Sequence, residues 1–438
     1  MKSLPYRKRH ACNTDDLGRK QHGCRQAVCR ELVAYIIIVS LSLMTAGHAL
    51  AADFTFVPSL TISEEYTDNV FEVESNKKSD YITRTQPGLT MKYIAPFWDW
   101  DLAYNYDNRY YARGSRSDDT THNIMLKSIM KPVDEVLFLD VSDSYKRVSL
   151  DVTRDTSNES LFKDQSDQNI GTVSPYIVLR PAANLDLKSG YRYINTWYRS
   201  SIAISRQDHV GFLSASYEFT AKTFITTDYT FTREEPESGS SFSRHEVLVG
   251  PRYEYADKSY LFAQGGFISS HYDNGRNADN ISWKAGISHS LDTATATISA
   301  GTSYADDPLG NTTLTTSYNL ALTKNFQRGT LTLTGAYREY EDGITEIKKN
   351  KSYSGGFSST LELLPDINTF LALTYENYHD LLLDAYTDKY FVDSNISWLA
   401  GKYLTLDLAY KYIDYSSAKI VNDNKRINRL ILEAKITF

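Results

Sequence analysis

The sequence predicts an all-β fold: a transmembrane up-and-down antiparallel β-barrel of about 20 strands, within roughly 18 to 22. Three observations predict it. The chain ends on an alternating segment that stops at Phe438, its middle is divided by regularly spaced tight-turn signals, and it is rich in tyrosine, with 33 Tyr beside 18 Phe and 5 Trp. Strand side chains point to opposite faces with a period of two. In the last segment Leu430, Leu432, Ala434, Ile436 and Phe438 therefore share an apolar face, and Arg429, Glu433, Lys435 and Thr437 lie on the other. An apolar row that must be covered and a polar row that must be hydrated fit a wall with lipid outside and water inside. The terminal Phe438 is expected to act as an insertion signal for the barrel-insertion machinery and to sit in an interfacial girdle.

At the other end, the apolar run Leu32–Met44 follows Arg25 and Arg30 and precedes Ala49-Leu50-Ala51. This is the pattern of a secretory signal peptide cleaved after Ala51. At about 13 residues the run is too short to span a bilayer as a helix, which needs roughly 20. Residues 1–51 are thus read as an N-terminal extension and signal peptide, and 52–438 as a single outer-membrane barrel domain. An over-extended translation start and a long basic n-region explain the first residues equally well. Cys12, Cys24 and Cys29 all fall in the removed part, so the mature chain is expected to have no disulfide or cysteine metal site. The same removal takes away eight Lys/Arg and three Asp/Glu and leaves a net charge of −12. An acidic chain is a poor partner for nucleic acid, which rewards clustered cations.

Turn signals follow at Ala95-Pro96, Lys131–Asp134, Arg180–Asn184, Thr220–Lys222, Ala256–Lys258, Leu291-Asp292, Gln327–Gly329, Leu364–Asp366 and Gly401-Lys402. These nine tight turns imply ten hairpins and twenty strands, each repeat taking about 19 residues, which accommodates membrane strands of 9–11. Longer polar stretches lie between them, at Asp68–Asp80, Gly114–Asp119, Ser149–Gln165, Glu234–Ser241, Asp273–Asn280, Glu341–Asn350 and Ser416–Asn424. Short turns on one side and longer loops on the other are the asymmetry of an outer-membrane barrel.

Alternation gives the two faces. Trp100, Leu102, Tyr104 and Tyr106 are expected to face lipid, with Asp101, Asn105, Asp107 and Arg109 facing in. Leu185, Leu187, Tyr191 and Tyr193 oppose Asp186, Lys188 and Arg192; Leu331, Leu333 and Tyr337 oppose Thr332, Thr334 and Arg338; Leu404, Leu406, Leu408, Tyr410 and Tyr412 oppose Thr405, Asp407 and Lys411. A polar interior inverts the pattern of a soluble barrel, which must fill its centre with apolar side chains. The pore-lining candidates are Asp101, Asp107, Arg109, Asp186, Lys188, Arg192, Asp228, Arg338, Asp407, Lys411, Glu433 and Lys435. They serve either as a self-paired wall compatible with water or as a lining that sets conduction and binds a polar solute. The longest loop, Ser149–Gln165, is the first candidate for a constriction, with an ordinary surface loop as the alternative.

No phosphate loop, H-E-x-x-H or G-x-S-x-G is present, and His122, His209, His245, His271, His289 and His379 are scattered without ligand spacing. The expectation is a non-enzyme without cofactor or metal, although a Ser/His/Asp site built from separate strands stays open to a sequence reading. Thr67-Asp68-Asn69 stands where the first strand enters a loop, and an Asx turn there is favoured over a calcium site, which needs six or more oxygens.

The segment Phe56–Phe71 (FVPSLTISEEYTDNVF) resembles the opening of the outer-membrane β-barrel family associated with PEP-CTERM/exosortase systems, itself similar to the β-barrel porin type 2 group, whose members begin with a Pro-Ser-Leu strand followed by Tyr-Thr-Asp-Asn. The likeness covers about 16 residues; beyond them it is one of barrel pattern and length. It implies a bacterial outer-membrane location and a role linked to exopolysaccharide production or export, with polysaccharide export components as partners, and it implies no catalytic residues. The function expected is a pore or export conduit. A non-conducting structural barrel and a general porin for small polar solutes are the alternatives.

Overall fold

The computed structural model describes residues 52–150, 165–306, 308–309, 312–420 and 424–438. The expected signal segment, and most of the Ser149–Gln165 loop, fall outside them. Among the described residues the chain forms twenty strands: β1 Asp53–Thr67, β2 Asp80–Ala95, β3 Trp98–Tyr111, β4 Asp119–Val133, β5 Leu137–Ser149, β6 Gln165–Ala182, β7 Leu185–Tyr198, β8 Arg206–Thr220, β9 Thr223–Pro236, β10 Phe242–Ala256, β11 Ser259–Tyr272, β12 Asn277–Ser290, β13 Ala294–Asp306, β14 Thr312–Phe326, β15 Gly329–Asp342, β16 Lys348–Leu364, β17 Ile367–Asp380, β18 Ala385–Leu399, β19 Leu404–Ser417 and β20 Lys425–Thr437. Each pairs antiparallel with its sequence neighbours, and the sheet closes where β1 meets β20, from Ser59↔Thr437 to Thr67↔Arg429. Closure joins the first strand to the last, the condition for strands to cross lipid.

All nine expected tight turns join strand pairs, and the strand total is the expected one. The loops depart from expectation in detail. β12 already begins at Asn277, and β15 runs to Asp342 before β16 begins at Lys348, so two stretches read as long loops are half strand. Conversely, the connections after Tyr198 and Asp380 carry apolar residues, Ile202 and Leu381–Leu383, where other loops are long and polar. Strand ends that rise above the membrane carry loop-like polar composition, so polarity does not mark where pairing stops.

The outer face is apolar and exposed: Leu408 is 47% exposed, Leu432 60% and Ile281 74%. Apolar exposure on this scale is stable only against lipid. A constant-height belt bounds it on the loop side. In β3, β5, β7, β9, β11, β15, β17 and β19 the ninth residue from the tight turn is aromatic: Tyr106, Tyr145, Tyr193, Phe231, Phe267, Tyr337, Tyr375 and Tyr412. Only β13 departs, with Thr302. Three histidines belong to this belt in one repeated arrangement. His122, His209 and His245 lie directly across from Tyr106, Tyr193 and Phe231. Their Nδ1 atoms share hydrogen bonds with Tyr104, Tyr191 and Tyr229 at 3.0, 2.5 and 3.0 Å. A hydroxyl paired in this way can be wetted at the interface without leaving an orphan polar group. At the turn side Phe438 lies 6.5 Å from Tyr403, its backbone N–H bonded to the Pro58 carbonyl. In detergent the purified protein should therefore migrate faster unboiled than boiled on electrophoresis, with a β-rich circular dichroism spectrum. Identical migration before and after boiling would contradict a closed barrel.

Candidate functional site

The inner face changes character along the barrel axis. Towards the tight turns its charged side chains are exposed, as at Asp101, Asp186, Lys188, Arg192 and Lys435. Towards the loops it is packed: Glu65 is 2% exposed, Asp107 1%, Arg429 5% and Lys389 0%. The first loop, residues 68–79, does much of this packing around β1, β2, β3 and β20.

Val70 is fully buried against Ile82 of β2 and Tyr111 of β3, with Phe71 beside it. Ile82 shares a face with Arg84, and Tyr111 shares one with Arg109 and Asp107, so the loop turns into the lumen. Two side chains shape its entry. The Asn69 amide donates to the Val73 carbonyl at 2.7 Å and to the Arg426 carbonyl at 3.1 Å, while its oxygen accepts from the Val73 N–H at 3.1 Å. Asp68 accepts from the backbone and side-chain amides of Asn428 at 2.8 and 2.7 Å. The Thr-Asp-Asn motif thus closes a turn through Asn69, five residues long, and clamps the barrel seam through Asp68. Of the two residues expected to close a turn on their own backbone, Asn69 does so, in a longer form that reaches Val73, while Asp68 is drawn to the donors of Asn428 on β20.

Glu72 anchors the loop. Its backbone is left-handed, with φ 52, and its carboxylate is fully buried. It accepts from Arg429 at 3.1 Å and lies 3.6 Å from the Lys425 ammonium, both on β20. Arg429 also approaches Glu65 of β1 at 3.7 Å. Next to this chain, Asp107 is held between Arg84 and Arg109 at 2.7 and 2.9 Å. Across β17–β19, the Lys389 ammonium is 3.3 Å from Glu376 and 5.3 Å from the rings of Tyr378 and Tyr415. Charges buried this deeply persist only when paired, so Glu72, the loop's one fully buried carboxylate, is a strong tether.

The other expected lining residues are spread around the wall. Asp186 pairs with Arg180 at 3.0 Å, Lys411 with Asp393 at 3.2 Å, and Asp407 accepts from Asn395 at 3.3 Å opposite Glu433. Lys188 stands 4.0 Å above the Tyr176 ring and Arg192 5.4 Å above that of Phe212. Asp228 accepts from Ser214 and Gln264. Asp101 lies opposite Lys92 and Lys127, Lys435 opposite Thr61 and Thr405, and Arg338 opposite Ser317 and Ser352. Only Asp107 and Arg109, of the expected residues, join the packed mouth. Arg84, Glu65, Glu72 and Lys389 were not singled out by the sequence reading. For Arg84 and Lys389 the signal was available as alternation within their strands, but Glu72 looks like any solvated loop glutamate.

Outside the strands, Asp384 is tied to Lys419 at 3.1 Å and to His379 at 3.3 Å. The Lys419 ammonium, then His379, hold its carboxyl below the ordinary value of 3.8. A depressed folded pKa means this tether is intact above pH 3.8 and is lost as pH falls through the lower folded value. Hydrogen exchange at residues 381–384, corrected for intrinsic rates, should be flat from pH 7 to 4 and rise below. Exchange that stays flat below pH 4 would show that this ion pair does not hold the turn.

By sequence, no family model and no curated protein matches the chain. Solved structures match it in fold. An FrpB iron transporter from Neisseria meningitidis (F5-1 variant) superposes with a TM-score of 0.52 at 8% identity, over 88% of this chain and 83% of its own. The copper transporter OprC gives 0.51 at 10% identity, over 88% and 81%. The ferric-catecholate import receptor Fiu of E. coli K12 gives 0.50 at 10%, over 88% and 82%. The fold is that of the outer-membrane β-barrels. At these identities the likeness is one of architecture and does not extend to iron or copper.

Proposed function

We propose that the protein is a conduit for a polar solute across the bacterial outer membrane, linked to exopolysaccharide production or export. The observation that carries this reading is the graded lumen: a hydrated wall of mixed charges on the turn side, leading to a mouth narrowed by the first loop. Barrels of 16 to 18 strands already enclose an aqueous channel. On the turn-side wall, charges alternate with ring faces, as at Lys188–Tyr176 and Arg192–Phe212. Carbohydrate uses both kinds of group, its hydroxyls bonding to charged side chains and its C–H faces packing on rings. The Pro-Ser-Leu…Tyr-Thr-Asp-Asn opening supports the link to exopolysaccharide, with polysaccharide export components as partners and outer-membrane lipid as the solvent of the outer face. A narrowed, charge-packed mouth favours a selective path over a general porin.

The test combines flux and phenotype. Proteoliposomes should swell in oligosaccharide solutions, and a deletion strain should lose secreted polysaccharide. Unchanged polymer with altered uptake of small solutes would replace export by general permeation. Absence of swelling with every solute, in wild type and in a first-loop deletion, would leave a non-conducting structural barrel.

A further inference from the structure

Two ladders stop short of the loops, and β12–β13 stops the lower of the two. β12 and β13 are consecutive strands joined at a tight turn, yet their pairing runs only from Ser290↔Thr295 to Lys284↔Gly301. On either side of them, β11–β12 pairs as far as His271↔Asn277 and β13–β14 as far as Asp306↔Thr312. The sheet is therefore complete up to each lip, and the lips part between Trp283 and Thr302. That level is the aromatic belt, at the one odd strand from β3 onward that lacks a ring there. Below it the ladder is intact, as it must be in hydrocarbon; above it, headgroups and water can satisfy unpaired backbone groups. The β4–β5 ladder also stops early, at Ile124↔Tyr145, but there Arg147 of β5 forms an ion pair with Asp119 of β4 at 2.5 Å.

Side chains hold the β12–β13 gap in place of a backbone ladder. The Thr302 hydroxyl accepts from the Trp283 N–H at 3.1 Å and reaches the Ile281 carbonyl at 3.4 Å. The Asn280 amide donates to the Tyr304 hydroxyl at 2.6 Å. The Tyr304 hydroxyl also donates to the Gly343 carbonyl of the β15–β16 connection at 3.4 Å, and the Arg244 guanidinium lies 5.1 Å from the ring centroid. The two sides of the gap differ in chemistry. Inside, Ser282 donates to Glu246 at 3.0 Å. Outside, Ile281 is 74% exposed and Trp283 lies 6.2 Å from Tyr318, spanning the small residues of β13.

We propose that this seam is a lateral portal between the loop-side lumen and the headgroup layer of the outer leaflet, latched by Tyr304. Its passenger is an amphiphile with a polyhydroxyl head: the head moves among Asn280, Ser282 and Tyr304, and the acyl chain stays in the leaflet against Ile281 and Trp283. The portal adds a sideways route to the axial path and does not depend on whether the axial path conducts.

The test uses a thiol reporter in the cysteine-free chain 52–438. Ser282→Cys lies on the inner lip, fully buried; Ser352→Cys is an equally buried inward position on the continuous β15–β16 seam. Both are reconstituted in phosphatidylethanolamine/phosphatidylglycerol vesicles containing a lipid with maleimide on its headgroup. The portal predicts labelling of Ser282→Cys and not of Ser352→Cys. Adding Tyr304→Ala should raise the Ser282→Cys rate about fivefold, the population shift expected from losing its one hydrogen bond across the seam, to Asn280. Retained heat-modifiable migration shows that each variant is folded, and labelling by aqueous maleimide after denaturation shows that both thiols are reactive. Equal rates at the two positions, or a Ser282→Cys rate unmoved by Tyr304→Ala, would overturn the portal and leave the conduit reading untouched.

Discussion

Deleting Val70–Lys78 should raise the single-channel conductance of the refolded barrel severalfold, because the deleted residues occupy the loop-side lumen. Glu72→Gln should reach the same open level intermittently. Glu72 is the loop's only ionic link to β20, and removing one partner of a buried charge pair costs about 3–5 kcal/mol. That cost falls on the docked loop and not on the barrel, whose ladders do not involve Glu72. Arg429 keeps Glu65 as a partner at 3.7 Å when the loop leaves, so the β1–β20 closure survives. The heat-modifiable migration of both variants should therefore match wild type. A deletion variant that folds and conducts no better than wild type would show that the loop lies outside the conducting path.

The second large effect concerns the two faces of one strand. Leu408 lies at mid-height on the outer face of β19, between Ile396 and Leu432, and its neighbour Asp407 faces the lumen opposite Glu433. Leu408→Arg should destabilise the folded barrel by about 2–4 kcal/mol, the cost of a cation at the bilayer midplane. Asp407→Arg should be neutral or stabilising, since it replaces a like-charge neighbour of Glu433 by an opposite one. Equilibrium unfolding in urea from lipid vesicles measures both. Equal losses would mean that the inner face is not hydrated at that height.

The fold was legible because its determinants are local. Turn residues such as Lys131-Pro132-Val133-Asp134 and the period-two rows of β3, β7, β15, β19 and β20 each fit within one hairpin. The mouth was less legible for the opposite reason. Asp107 and Arg109 sit two apart in one strand and were read as inward charges, but Glu72 and Arg429 are 357 residues apart and meet only because the barrel closes. Nothing local separates a loop glutamate bound for the lumen from one bound for solvent. The Ser149–Gln165 loop drew the constriction expectation by its length, whereas the described loop that enters the lumen does so through Asn69, Val70 and Glu72. At β12–β13 the only sequence trace of the interruption is Thr302, a hydroxyl where the other odd strands from β3 onward carry a ring.

A conduit requires a lumen that holds water along the polar row of the wall. Single-cysteine substitutions from Leu404 to Tyr412, treated in proteoliposomes with a membrane-impermeant maleimide, test this most directly. Positions 405, 407, 409 and 411 should react and positions 404, 406, 408 and 410 should not, giving a period-two profile across the membrane. A profile in which both rows are equally protected would contradict a water-filled conduit.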